Sequence, residues 1–186
     1  MKKVIIVHRW DGDPSADWYP WLKEEVEKKN IRVFIPEMPD PSKPKIEKWV
    51  ASLKNKVKDL DEETFFVGHS IGCQTIIRYL EKLEEKKKIG GALFVAGWFS
   101  LNKLETDEEK KIAKPWLERP IDLAKVKKKV KNIRAIFSDN DPFVPLQNVR
   151  IFEEKLGAKT HIEKKQGHFN DNTSPRVLKI LLEMMQ

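Results

Sequence analysis

Ser70 sits between two glycines in Gly68-His69-Ser70-Ile71-Gly72. The apolar run Thr64-Phe65-Phe66-Val67 precedes it, and Cys73-Gln74-Thr75-Ile76-Ile77-Arg78-Tyr79-Leu80 follows with near-helical apolar spacing. A serine entered from a strand and left into a helix, with glycine two residues to either side, is the sequence form of a strained turn. Such a turn projects the hydroxyl from the top of a sheet. A serine hydroxyl is a weak nucleophile at its own pKa, so it needs a base, and the base needs an orienting group. Two later segments supply candidates. Ser138-Asp139-Asn140-Asp141-Pro142-Phe143-Val144-Pro145 follows the strand-like Asn132–Phe137, and Gln166-Gly167-His168-Phe169 follows the short strand candidate Thr160–Glu163. Ser70, Asp141 and His168 each fall at the C-terminal end of a predicted strand, where an open parallel sheet places its ligand crevice. The chemistry such a set performs is acyl transfer. The imidazole takes the serine proton, and the carboxylate orients the imidazole and stabilises its cation. Each residue also has a structural reading: Ser70 as a helix N-cap, Asp141 as a turn former before proline with Asp139 as the alternative acid, and His168 as a surface-loop histidine.

The order Ser70, Asp141, His168 is that of α/β-hydrolases and differs from the orders in the chymotrypsin and subtilisin lineages. The chain resembles the small serine hydrolases of that superfamily that include the YdeN-like proteins and the retinoblastoma-binding protein 9 group. The resemblance is carried by Val4-Ile5-Ile6-Val7-His8, Trp18-Tyr19-Pro20-Trp21-Leu22, Gly68–Gly72, Asp139–Pro145 and Gly167-His168-Phe169, spread over nearly the whole chain. It implies a Ser-His-Asp hydrolase fold with no cofactor and no metal, with Asp141 as the triad acid because Pro-Phe-Val-Pro follows it. It also implies an oxyanion hole formed by the backbone N–H groups of Trp10 and Ile71. One departure is visible. Many hydrolases of the superfamily carry His-Gly after the first strand, whereas this chain reads His8-Arg9-Trp10-Asp11-Gly12. Arginine at the glycine position reshapes the hole or sets a cation at its rim, where Arg9 is a candidate to hold an anionic substrate group. Trp10 and Trp98 each follow a strand end and are expected beside the substrate. His8 and His69 are read as structural, bonding the loops around the oxyanion hole. His161 is read as a solvent-facing strand position and Cys73 as a packing residue.

The elements that position these residues alternate strand and helix, the pattern of a parallel sheet covered on both faces. Strands are predicted at Val4–Val7, Arg32–Ile35, Thr64–Val67, Ala92–Ala96, Ile133–Phe137 and Thr160–Glu163. Helices are predicted near Trp18–Lys29, Ile46–Asp59, Ile71–Lys86, Leu146–Leu156 and Pro175–Met185. The last is capped by Thr173 or Ser174 and carries an apolar stripe of Val177, Leu178, Leu181 and Leu182. The fold class is therefore α/β: a three-layer α/β/α sandwich with a mostly parallel sheet of about six strands, the compact α/β-hydrolase fold. Residues 1–186 read as one domain. The stretch at about 100–131 is a candidate small helical wall or lid of the site.

Composition narrows the function classes. The 186 residues carry a formal charge of +7, but lysine runs at Lys86–Lys88 and across Lys125–Lys131 are matched by acidic ones such as Glu84-Glu85 and Asp107-Glu108-Glu109. That interleaving reads as a solvated, charged surface rather than a nucleic-acid face, which concentrates its basic residues. No stretch approaches the roughly twenty apolar residues of a membrane span. Met1–Val7 is too short for a secretory leader and reads as the first strand. One cysteine excludes an internal disulfide and suits a cytoplasmic location. The reading is a carboxylesterase-like serine hydrolase acting on a small acyl ester through an acyl-enzyme, as a monomer or homodimer, with amide or thioester substrates open. The alternative is a catalytically weak or inactive hydrolase-fold protein serving as a protein-interaction module.

Overall fold

Strands covered on both faces need apolar side chains pointing both ways, and the runs at Phe65–Val67 and Ala92–Val95 provide them. The computed structural model describes residues 1–102 and 104–186. Six strands form one sheet: β1 (Lys3–Val7), β2 (Arg32–Phe34), β3 (Thr64–His69), β4 (Ile89–Val95), β5 (Val130–Ser138) and β6 (Lys159–Glu163). They run in the order β2-β1-β3-β4-β5-β6, and every neighbouring pair is parallel. Every residue of β3 and β4 is buried.

The helices are α1 (Tyr19–Glu27), α2 (Ile46–Lys56), α3 (Ile71–Glu81), α4 (Asp107–Glu118), α5 (Leu123–Lys127), α6 (Gln147–Ile151) and α7 (Pro175–Met184). On one face α3 packs on β1 and β3 and is flanked by α2 and α5; on the other, α7 packs on β4 and β5 beside α1. Trp18, Tyr19, Trp49, Phe66, Phe94 and Phe137 are among the large side chains removed from water in the two interfaces. Register aligns the strand ends. Val7 pairs with Gly68, His69 with Val95, Val95 with Ile136 and Ser138 with Glu163. The chain leaves β1 for β2 on one side and returns to β3 on the other. The topological switch point therefore lies between β1 and β3, and a crevice opens outside their carboxyl ends.

Several predicted boundaries are corrected. The first helix, expected from Trp18 to Lys29, begins at Tyr19 and ends at Glu27. Helix α2 stops at Lys56, because Val57 is extended (φ −107°, ψ 111°). Helix α3 stops at Glu81 rather than Lys86. The buried Lys129 ammonium bonds the carbonyls of Leu80, Glu81 and Leu83 and so takes over acceptors that a longer helix needs. The helix predicted over Leu146–Leu156 is α6 followed by a π-helical turn, Phe152–Leu156, closed by Gly157 at φ 68°. Ser174 stands at the N-cap of α7 without a capping side-chain bond, and the buried stripe is Val177, Ile180, Leu181 and Met184. His161 does not face solvent: it is half-buried with Nδ1 3.2 Å from Arg176 Nη2, and its neighbour Ile162 is the exposed one at 52%.

Candidate active site

Ser70 is held between β3 and α3 at φ 53° and ψ −118°, a strained left-handed turn. The flanking glycines have steric reasons. A Cβ at Gly68 would lie 2.8 Å from the Cys73 backbone, and one at Gly72 would collide with the Val7 carbonyl. The Ser70 side chain does not cap α3, so its hydroxyl is not spent on the helix; its own N–H donates to Val95 O at 2.9 Å. Ser70 is 7% exposed and lines a cavity of about 570 Å³ together with His168.

Four successive side chains, from the last residue of β5 and the loop after it, hold the loop after β6. Ser138 Oγ accepts from Gln166 N at 3.0 Å, Asp139 Oδ1 from Lys165 N at 2.8 Å and Asn140 Oδ1 from Gly167 N at 2.8 Å. Asp141 Oδ2 accepts from His168 Nδ1 at 2.8 Å. Asp141 Oδ1 takes the N–H groups of Phe143 and Val144, so both oxygens are occupied, and its side chain is only 2% exposed. With Nδ1 as the donor, the neutral His168 ring carries its lone pair on Nε2. Asp139 is committed to Lys165, so of the two acids it is Asp141 that touches the ring.

The turn after β1 is braced on all sides. Arg9 N donates to Tyr19 Oη at 3.1 Å and Asp11 N to Pro41 O at 2.9 Å, and the Trp10 indole donates to Ser42 O at 2.9 Å. Among the described residues, the N–H groups of Trp10 and Ile71 have no acceptor. The Arg9 guanidinium forks onto Asp17 at 2.7 and 3.3 Å and reaches Trp10 O at 3.0 Å. Its charge is therefore answered inside the protein. His8 donates from Nδ1 to Arg9 O and accepts Met38 N at Nε2; burial lowers its pKa. His69 is fully buried, and desolvation pushes its pKa well below the ordinary value.

A family model described as serine hydrolase matches residues 4–178. This chain belongs to the serine hydrolase family. The family member is 29% identical to YdeN of Bacillus subtilis over 185 residues, 99% of this chain and 94% of that protein. It is 24% identical to serine hydrolase RBBP9 of Rattus norvegicus over 186 residues, 99% and 95% of the two chains. The crystal structure of the B. subtilis ydeN product superposes with a TM-score of 0.90 at 27% identity, covering 99% and 98%. Est1E of Butyrivibrio proteoclasticus shares the fold, with a TM-score of 0.73 at 15% identity, covering 99% and 88%.

In this hydrolase the cavity lining is mixed: Trp10, Trp98, Leu101, Leu104, Ile112 and Phe143 are apolar, and Lys43, Glu105, Glu108 and Glu109 are charged. Helix α4 contributes Ile112 and is anchored from beneath. Arg78 of α3, 2% exposed, donates to the carbonyls of Trp116 and Arg119 at 2.9 Å each, and the Trp116 indole donates to Pro44 O at 3.1 Å. Burial pulls the Arg78 guanidinium down to about 10. Cys73 is buried, its pKa raised by desolvation, and its thiol points to Val95 O. No group of His, Cys, Asp or Glu among the described residues is arranged to hold a metal ion. Among those residues no helix is long and apolar enough to cross a membrane.

Sequence reasoning did not reach Ser138, Asn140, Asp17 or Tyr19 as parts of the site. The first two read only as part of the loop after a strand, and nothing in the spacing of the last two points to β1, β3 or the His168 loop. The start of α4 was readable. Thr106 and Glu109 form a capping box, the T-x-x-E signature, but Pro115 inside the helix obscured it.

Proposed function

We propose that this family member hydrolyses small neutral acyl esters through a Ser70-His168-Asp141 triad, in one α/β-hydrolase domain whose 100–131 segment walls the acyl pocket. The observation that carries the reading is the His168–Asp141 bond. It leaves Nε2 of the ring basic, in a cavity that Ser70 shares. His168 Nε2 takes the Ser70 proton as Oγ attacks the ester carbonyl, and the carbon becomes tetrahedral. The free N–H groups of Trp10 and Ile71 are assigned to the oxyanion that forms. Asp141 keeps the ring oriented and stabilises the imidazolium without taking its proton. The imidazolium then protonates the leaving alkoxide, the C–O bond breaks, and Ser70 is left acylated. Water attacks the acyl-enzyme by the same route, with His168 again as base, and the carboxylic acid leaves. None of these steps requires a cofactor.

The apolar part of the lining suits an uncharged acyl group, and Glu105, Glu108 and Glu109 in the same lining disfavour an anionic one. Arg9, engaged by Asp17, is assigned to bracing the oxyanion turn, and a substrate carboxylate would have to displace Asp17 to use it. The test is covalent labelling of the purified protein with a fluorophosphonate, beside Ser70→Ala, Asp141→Asn and His168→Ala. Labelling that vanishes with Ser70→Ala and slows by about a thousandfold or more in the other two is expected. A folded wild-type protein that does not label removes the esterase reading and leaves a binding role.

A further inference from the structure

The two halves of the site come from opposite ends of the chain, and one line of side chains joins them. Arg9 N donates to Tyr19 Oη at 3.1 Å, Tyr19 Oη lies 2.6 Å from His69 Nδ1, and His69 Nε2 lies 2.8 Å from the carbonyl oxygen of His168. The ends fix the direction of every bond. An amide N–H can only donate and a carbonyl can only accept. The carbonyl requires the proton on His69 Nε2, which makes Nδ1 an acceptor, so the Tyr19 hydroxyl donates to it while accepting from Arg9. The surroundings enforce this state. Burial keeps Tyr19 protonated and His69 neutral. Asp17 Oδ2, 3.8 Å from His69 Nδ1, is already engaged by Arg9. A parallel bond from the Trp18 indole to Phe169 O at 2.9 Å ties the same helix start to the residue after His168. The His69 and His168 rings lie against each other, with centroids 5.3 Å apart.

We propose that Tyr19 and His69 are positioning residues that fix the distance between the Trp10 oxyanion donor and the His168 base through this one-way chain. The proposal rests on reading Ser70, His168 and the Trp10 N–H as the reacting centre. Neither residue touches substrate. Their role is geometric: the tetrahedral intermediate needs the donor and the base at once, and the two sit on loops that share no covalent neighbour. Displacement of about 1 Å between such groups costs on the order of a hundredfold in rate. Simple core polar contacts would instead affect stability, leaving kcat intact in protein that remains folded.

The experiment compares wild type, Tyr19→Phe, His69→Phe, the double variant and His69→Gln, using fluorophosphonate labelling, kcat and KM on a short neutral chromogenic ester, and thermal midpoints. Tyr19→Phe keeps the ring and loses only the hydroxyl. Its kcat is expected to fall about ten- to a hundredfold with KM nearly unchanged. The double variant should lose no more than the worse single one, because a chain once cut cannot be cut again. His69→Gln retains an amide donor for the His168 carbonyl and is expected to recover much of the rate lost in His69→Phe. In wild type, ¹⁵N shifts should show His69 as the neutral Nε2–H tautomer across neutral pH, a readout that needs neither turnover nor a variant. Multiplicative losses in the double variant, an unchanged kcat in folded Tyr19→Phe, or a proton on His69 Nδ1 would each overturn the positioning role. A wild-type protein that neither labels nor turns over overturns the triad reading itself, and the positioning role falls with it.

Discussion

Asp139 and Asp141 stand two positions apart in one loop and hold different groups, which separates their chemistry experimentally. Asp139 accepts a backbone N–H from Lys165, a task that an asparagine carbonyl performs equally well. Asp141 accepts from the imidazole Nδ1, and an asparagine there offers an amide donor in place of the second oxygen and favours the wrong ring tautomer. Asp141→Asn is therefore expected to lower kcat by about three to four orders of magnitude, and Asp139→Asn by less than about tenfold, measured on one ester under identical conditions. Comparable losses in the two variants would reject the assignment of Asp141. At this scale the residues proposed to react stand out in the sequence because their constraints are local. Gly68 and Gly72 are dictated by backbone a few residues away or on the adjoining strand, and the Pro-Phe-Val-Pro tail marks its loop. Asn140 and Tyr19 were not legible. Their partners, Gly167 N and His69 Nδ1, lie far along the chain and are brought close only by the sheet register.

Helix α4 is tied to α3 and to the loop before α2. Its C-terminal carbonyls end on Arg78 of α3, its Trp116 on the proline-rich loop before α2, and its exposed Glu108 on Lys43 at 2.7 Å. The ion pair is exposed at the cavity rim and contributes little, so the buried Arg78 contacts decide whether the wall stays put. Arg78→Met removes the donors from two carbonyls and is expected to cost about 1–3 kcal/mol of stability. It is also expected to raise KM for longer acyl chains more than for acetyl esters. Proteolysis should then cut within 104–131 sooner than in wild type. An unchanged chain-length preference would detach α4 from substrate selection. The strands and α7 were readable because periodicity and capping residues mark them. Here α4 and α5 were not resolved individually; the signal that docks α4 is a buried arginine on a different helix, and charged side chains normally read as surface.

Across the whole molecule, strain and buried histidine gather at the carboxyl end of the sheet. Ser70, Ala96 and Phe169 hold positive φ there, and His8 and His69 lie beneath them, both fully buried. The sandwich follows from the strand–helix alternation that the sequence displays, whereas the strand order is seen only in the structure. The internal polar layer follows from none of them, because a buried histidine and a surface one look alike in a sequence. That layer carries a consequence for stability. Burial lowers the folded-state pKa of both His8 and His69 below the ordinary value near 6.5, His69 by more. At pH values between the folded and unfolded pKa the unfolded chain binds the extra proton. Their contribution is thus fully present above about pH 6.5 and is lost as the pH falls below it, at about 1.4 kcal/mol per pH unit for each histidine within its window. Carboxylates whose pKa values are lowered, such as Asp61 and Glu47, act only further down, below the ordinary carboxylate range. Urea midpoints taken between about pH 7.5 and 5.5 isolate the histidines. Stability is expected to fall across that interval in wild type and less steeply in His69→Gln, whose side chain cannot charge. A flat wild-type profile would mean that the layer opens to water or binds its protons without unfolding, and the neutral chain from Arg9 to His168 would lose its basis as well.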